Sequence, residues 1–164
     1  MGKIYDDYVN FKQAVEHFCA AVSFAGEADN QKLQTKALSD LTVIHANRYD
    51  RENTLLFADL TDIVAYETNS DSVIGFAASK NAKCCEKIND KAKALQYYGI
   101  SSSAYSSAMD YENLAKNYNR AADIMLGYGN KAKAKKLLSK AFLALQNCDN
   151  PELKQEVVSK ITSM

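Results

Sequence analysis

Apolar residues recur at three- and four-residue intervals along almost the whole chain, and this spacing limits the possible folds more than any other feature. In the first segment they are Tyr8, Phe11, Val15, Phe18, Val22 and Ala25. Such spacing places side chains on one face of an α-helix. One proline and six glycines among 164 residues supply few of the turns that a β-rich domain needs. The sequence therefore predicts an all-α fold.

Turn residues divide the periodic segments into helices. The first helix is predicted to stop near Gly26 and the second to cover 30–46. Asp50 has the side chain of a helix N-cap and is predicted to start the third helix. The residues of that helix expected to face the core are Leu56, Leu60, Ile63 and Val64.

Two interpretations remain open for residues 71–98. The apolar phase continues through the segment, which favours one long helix ended by Gly99, while a break at Asn89–Asp90 is the alternative. The serine-rich start of 101–126 is predicted to be a loop or a frayed turn before another helix.

Gly127 and Gly129 are predicted to end that helix, and a lysine-rich helix over about 131–147 follows. Pro151 suits the first turn of a final short helix.

Short connections force neighbouring helices to run antiparallel, so we predict about three hairpins (4–46, 51–98 and 101–147) and a terminal helix. Their spacing is near fifty residues, and nothing marks a domain boundary within 1–164. The expected architecture is one domain of about six to seven helices, forming either a superhelix of hairpins or a helical bundle.

Segment 118–141 resembles a single tetratricopeptide repeat. Tyr118 stands at the first large aromatic position, Ala122 at the helix-crossing position, Gly129 at the turn, and Ala134 and Ala141 at the small positions of the second helix. The segment lacks the repeat-ending proline, and no such pattern recurs along the chain at the period typical of these arrays. The resemblance implies a scaffold that holds a peptide or a helix of another protein.

Charge and hydropathy exclude some classes of partner. Lys+Arg 20 and Asp+Glu 20 cancel, so no global field attracts the chain to nucleic acid or to an acidic membrane. No signal peptide and no apolar window of about 18 residues are present, which predicts a cytoplasmic protein without a membrane span. In that compartment its four cysteines are expected to be free thiols.

Few residues form a pattern suited to catalysis. The two histidines, His17 and His45, belong to no Glu-x-x-His or H-E-x-x-H motif, and His45 is expected to face the dipole at a helix C-terminus. Asp59 and Asp62 could present two carboxylates to a cation, so a metal-dependent helical hydrolase is a minor alternative. We predict a non-enzyme without catalytic residues, metal ligands or cofactor.

Two groups of residues are predicted to contact a partner. Tyr97, Tyr98 and Tyr105 flank Gly99 and are expected to lie at the surface, where tyrosine is favoured in binding sites. On the lysine-rich helix, one polar face carries a lysine stripe, which we define as Lys133, Lys136 and Lys140 and which has Leu143 among its polar neighbours.

The predicted function is a protein–protein interaction module of the adaptor, chaperone or inhibitor type. Its partner would be another protein or peptide bound in a helical groove, and homo-oligomers stay open. The alternative is a nucleic-acid-associated helical protein that uses the lysine stripe, although three phosphate contacts give only weak, salt-sensitive binding.

Overall fold

The computed structural model of the chain describes the backbone of residues 2–164 and the side chains of residues 9–164. Over this range the chain forms helices and no strand, which confirms the all-α prediction. Tyr8, in the predicted first stripe, lies outside the described side chains. The helices are α1 (Gly2–Glu27), α2 (Gln31–Asn47), α3 (Arg51–Glu67), α4 (Asp71–Lys87), α5 (Lys91–Ser107), α6 (Tyr111–Gly127), α7 (Lys131–Ala144) and α8 (Pro151–Thr162).

The helices from α2 onward begin at even intervals along the chain, because capping residues recur at the same spacing. At every cap from α2 to α8 except Ser70 of α4, the side chain accepts a hydrogen bond from the backbone N–H three residues later, which satisfies one of the free donors of the first turn. The residues that do so are Asn30, Asp50, Asp90, Asp110, Asn130 and Asn150. Pro151 occupies the first turn of α8, as predicted.

Residues 71–98 form parts of two helices. Asn89 adopts a left-handed conformation (φ 60°) and Asp90 caps α5, so the alternative with a break at Asn89–Asp90 is correct. Gly99 lies inside α5, and the serine-rich segment is the last part of that helix. The predicted hairpin 51–98 and the spacing near fifty residues are therefore wrong, and the hairpin predicted over 101–147 begins only at Tyr111, as α6–α7.

The hairpins are α2–α3, α4–α5 and α6–α7, and they begin at the evenly spaced residues Gln31, Asp71 and Tyr111. Consecutive hairpins are joined by contacts of α2 with α4, of α3 with α4 and of α5 with α6, while α1 packs on α2 and α8 on α7. The result is an array in which each helix contacts its near neighbours.

Alanines let the helices approach closely in the core. The fully buried ones include Ala58, Ala78, Ala82, Ala94, Ala115, Ala122, Ala134 and Ala141. Within the α6–α7 hairpin, Ala122, Ala134 and Ala141 are the small residues of the tetratricopeptide-like segment, and Gly129 forms its turn (φ 72°). The packing positions in this segment are thus as the sequence predicted.

The predicted orientation of α3 is wrong. Leu56, Leu60 and Ile63 are exposed, by 52%, 38% and 59%, and Val64 is half-buried. The residues facing the core are Thr54, Ala58, Thr61 and Ala65. Small side chains allow close packing here, and each threonine hydroxyl donates to a carbonyl of its own helix or its cap, at 2.5 Å for Thr54 and 2.6 Å for Thr61.

None of the helices within residues 2–164 is long and apolar enough to cross a lipid bilayer.

Candidate binding groove

Two depressions lie between α2, α4, α6 and α8, which we call the inner helices, and together we call these two depressions the groove. One depression of about 370 Å³ lies between α4, α6 and α8, and a second of about 380 Å³ lies between α2 and α4. The residues lining the first are Lys83, Lys116, Asn117, Asn119, Arg120, Asp123, Leu153 and Glu156.

Hydrogen bonds between equivalent positions of successive hairpins hold the inner helices together. Lys80 Nζ donates to Asp40 Oδ1 at 2.8 Å, and Lys87 Nζ donates to Asn47 Oδ1 at 2.5 Å. Between α6 and α8 the contact is shifted by one position, since Lys160, the counterpart of Arg120, donates from Nζ to Asn119 Oδ1 at 3.0 Å. The repeat of the hairpins therefore positions the polar side chains of the groove as well as the core.

A buried polar chain supports the groove between α4 and α6. Asn117 accepts a hydrogen bond from Ser79 Oγ at 3.0 Å and donates to Ser101 Oγ at 2.6 Å. Ser101 Oγ then donates to the carbonyl of Gly75 at 2.6 Å. Because all these groups are buried and paired, the chain fixes the spacing of three helices without an unpaired polar atom.

Two acidic residues of the groove share one lysine, which leaves one negative charge in excess. Lys160 Nζ lies 2.6 Å from Asp123 and 2.8 Å from Glu156. Burial acts to lower the pKa of Lys160, but the hydrogen bonds to Asp123 and Glu156 outweigh it and raise that pKa. The hydrogen bonds from Lys160 and Asn119 lower the pKa of Glu156. The groups of this cluster therefore stay charged, and they pair with one another.

The remaining cations of the groove face solvent. Lys116 pairs with Glu112 of its own helix at 2.6 Å. Lys83 and Arg120 are exposed, and among the described side chains neither forms an ion pair. Lys83 and Arg120 carry two positive charges against the single net negative charge of Asp123, Glu156 and Lys160. The depression therefore keeps a net positive charge, which favours an anionic group.

The second depression adds an apolar surface. Phe76 is 39% exposed there, with Lys80 Nζ 5.0 Å from its ring centroid. Lys32 and Lys36 line the opposite side, on α2. The groove thus offers cations along its length and one aromatic contact near α2.

The tyrosines predicted at the surface are buried. Tyr97, Tyr98 and Tyr105 are 3%, 1% and 5% exposed, because α5 is central in the array and uses these rings to fill space beside alanines. Tyr97 donates to Asp59 Oδ1 at 3.0 Å and Tyr98 donates to Glu86. Burial raises the pKa of all three, that of Tyr105 to about 12. They pack the core and do not reach the groove surface.

The lysine stripe is exposed on α7, on the outer side of the array. Lys133, Lys136 and Lys140 face solvent, and Leu143 is 59% exposed beside them. Lys140 Nζ also lies 5.4 Å from the ring centroid of Tyr118. The surface location is as predicted, and a partner for these residues stays a prediction.

His45, which was considered for chemistry, has internal partners, while His17 is exposed. The ring of His45 is buried between Phe11 and Phe57, and its Nδ1 lies 2.9 Å from Asp50 Oδ2. His45 thus ties the end of α2 to the cap of α3, whereas the sequence had suggested only a contact with the helix dipole.

Asp59 and Asp62 do not converge on one exposed site. Asp59 is bound by Lys93 and Tyr97, and Asp62 accepts from Asn81 Nδ2 at 3.1 Å. Among the described residues, no three histidine, cysteine or acidic side chains could share a metal ion.

Sequence reasoning missed the groove residues because it misplaced the hairpins. Lys83 and Arg120 lie in separate helices with no local motif around them. The even spacing of the capping residues was the available signal, since it sets the length of one hairpin. Positions one hairpin length apart then fall into a single row, which contains Asp40, Lys80, Arg120 and Lys160.

Comparisons with known proteins show the fold. No protein-family model matches the chain, and no curated protein matches it by sequence. One similar solved structure is BtubC (BKLC) from P. vanneervenii, with a TM-score of 0.74 and 14% identity. The match covers 90% of this chain and 62% of that one, so this chain spans less than two thirds of BtubC. At this identity the likeness concerns helical architecture alone.

Proposed function

We propose that this chain is a non-enzymatic interaction module whose groove holds an acidic, extended or helical segment of a partner protein. The observation that carries the proposal is the pair of free cations, Lys83 and Arg120, beside ordered amides of α6 in a depression of about 370 Å³. Carboxylates are the protein groups that pair best with lysine and arginine.

The composition of the groove suggests what else the segment contains. Phe76 lies on α4, the helix that also carries Lys83, and its partly exposed ring offers contact area to an apolar side chain. A ligand with acids at one end and an apolar residue at the other matches this arrangement. The shared helical architecture with BtubC supports the array on which such a groove depends.

Binding of labelled peptides tests the proposal. The probes are a fluorescein-labelled peptide rich in Asp and Glu with one Leu, and the same peptide with Asn and Gln at the acidic positions, both followed by fluorescence anisotropy. We expect only the acidic peptide to bind, and to bind more weakly as salt is raised. Lys83→Glu with Arg120→Glu should reduce its affinity about tenfold or more, since charged contacts in interfaces have large effects.

A matched charge reversal on the outer face is the control. Lys133→Glu with Lys136→Glu makes the same change in net charge but leaves the groove intact, so acidic-peptide binding should persist. If this control abolishes binding and the groove variant does not, the proposal fails. Oligonucleotide binding that depends on Lys133, Lys136 and Lys140 would instead support the nucleic-acid alternative.

A further inference from the structure

The outward face of α3 carries an apolar row that the fold does not require. Leu56, Leu60 and Ile63 are four and three positions apart, so they lie on one side of the helix. All three are exposed. Glu52 stands one turn before the row and Glu67 one turn after it, and both are exposed. We call these five residues the outer stripe.

The equivalent positions of α5 and α7, which are the second helices of the other two hairpins, differ. One hairpin later, in α5, the counterparts of Leu56, Leu60 and Ile63 are Gln96, Ile100 and Ser103, and Ile100 is half-buried. In α7 they are Lys136, Lys140 and Leu143. Architecture alone therefore does not explain three large apolar side chains in contact with water on α3, and such a row marks an interaction surface.

Charge at the ends of the outer stripe indicates the kind of partner. Glu52 and Glu67 form no ion pair with any described side chain. Asp59, at the edge of the stripe, is paired with Lys93 at 3.1 Å. A partner that covers Leu56, Leu60 and Ile63 meets a free carboxylate at each end, and cations at the matching positions complement them.

Pairing of two copies through this stripe is disfavoured by the same charges. An antiparallel pair centred on Leu60 brings Glu52 of one copy near Glu67 of the other. A parallel pair brings each glutamate near its own equivalent. Both arrangements place like charges together across the interface, which costs affinity.

We propose that the outer stripe is a second binding surface, distinct from the groove, for a basic amphipathic helix of a partner protein. The partner helix lies along α3 with apolar residues at the four–three spacing and a lysine or arginine one turn beyond each end. Helix-in-groove recognition reads apolar anchors at this spacing.

Two synthetic helical peptides of about four turns test the surface. One carries the row Lys–Leu–Leu–Leu–Lys at the spacing of the outer stripe, and the other has Glu in place of both Lys. In a chain carrying Lys83→Gln with Arg120→Gln, whose groove has lost its free cations and no longer holds an acidic peptide, anisotropy should show binding of the Lys peptide only. Leu60→Gln with Ile63→Gln should weaken it about tenfold or more. These side chains are exposed, so circular dichroism and thermal unfolding should match the unmodified chain.

Charge exchange provides the sharper readout. In the Lys83→Gln with Arg120→Gln chain, Glu52→Lys with Glu67→Lys should weaken the Lys peptide and create binding of the Glu peptide. Restoring Lys83 and Arg120 should leave binding of the Lys peptide unaffected. The proposal is overturned if neither peptide binds the chain that carries Lys83→Gln with Arg120→Gln, if both bind that chain equally, or if Leu60→Gln with Ile63→Gln has no effect. Sedimentation that shows a dimer lost in that same variant would assign the stripe to a second copy and also overturn it.

Discussion

At the residue scale, Gly75 shows how tightly α4 and α5 are packed. A Cβ added there would lie 2.8 Å from Cδ1 of Tyr105, and the Gly75 carbonyl accepts from Ser101. Because both neighbours are buried, the Tyr105 ring has little room to move.

Gly75→Ala should lower the free energy of unfolding by about 1–3 kcal/mol, the usual cost of overpacking a core. Gly99→Ala is the matched change, since Gly99 is also helical but has no atom within 4 Å of an added Cβ. It should raise stability by about 0.8–1 kcal/mol through helix propensity. Urea unfolding of both variants measures the difference, and equal effects would contradict it.

Asp62 gives the fold a pH dependence. Burial raises the pKa of Asp62 to about 6, against the hydrogen bond from Asn81 and the nearby Lys93, while the charge of Asp59 adds to the rise. The folded state therefore binds a proton more tightly than the unfolded state does. The contribution of Asp62 to stability is greatest below the unfolded pKa near 4 and is lost as the pH rises through about 6.

Asp62→Asn should remove this dependence, because asparagine keeps an oxygen for Asn81 but carries no charge. At pH 7–8 the variant should be more stable than the unmodified chain by about 1–2 kcal/mol. This difference is smaller than the pKa shift alone implies, because Asp62 is partly exposed to solvent. The difference should vanish near pH 4. Urea unfolding across this range measures it, and a constant offset would rule out the titration of Asp62 as its origin.

At the element scale, the ends of the helices decided which predictions succeeded. The stops at Gly26, Gly127 and Gly129 and the caps at Asp50 and Asn150 follow local chemistry, so they were readable from single residues. The turn at Met109 could not be predicted in this way, because methionine rarely adopts the left-handed backbone conformation found there (φ 56°). The α5–α6 boundary was therefore missed.

The inward face of α3 escaped prediction for a different reason. Their hydrophobicity led to the prediction that Leu56, Leu60 and Ile63 are buried. The residues actually buried are Thr54, Ala58 and Thr61, because their smaller side chains allow α3 to pack closely on its neighbours. Tyr97 and Tyr98 show the same effect, since their burial depends on residues of α3, α4 and α6 and no local pattern encodes it. Tertiary contacts overrode periodicity at both places, and both determine where a partner can bind.

Capping strength should differ between helices of the array. Asp110 accepts from the backbone N–H of Asn113 at 3.1 Å, whereas Ser70 forms no capping bond. Asp110→Ala should lower the free energy of unfolding by about 0.5–2 kcal/mol, and Ser70→Ala should change it by only a few tenths, since no capping bond is lost. Chemical denaturation provides the measurement, and a Ser70→Ala loss as large as that of Asp110→Ala would refute the difference.

At the whole-molecule scale, contacts between near neighbours make stability local. Repeat arrays behave as sums of unit stabilities and interface energies between adjacent units. The α8 helix contributes Leu153 and Val157 to a cluster that contains Leu138 and Leu145 of the α6–α7 end. The α2–α3 hairpin lies outside that cluster, so the two ends of the array should respond separately to a local change.

Val157→Asp should therefore loosen one end of the array. A charge buried at this fully enclosed position lacks a partner and should open α8 and the facing turns of α6 and α7. Hydrogen exchange should accelerate there by about tenfold or more, while α2 and α3 retain their protection. Val158→Asp is the control on the same helix, because Val158 is 40% exposed. Uniform acceleration from α2 to α8 would show instead that the array unfolds as one cooperative unit, and binding at the groove would then be coupled to the stability of the whole chain.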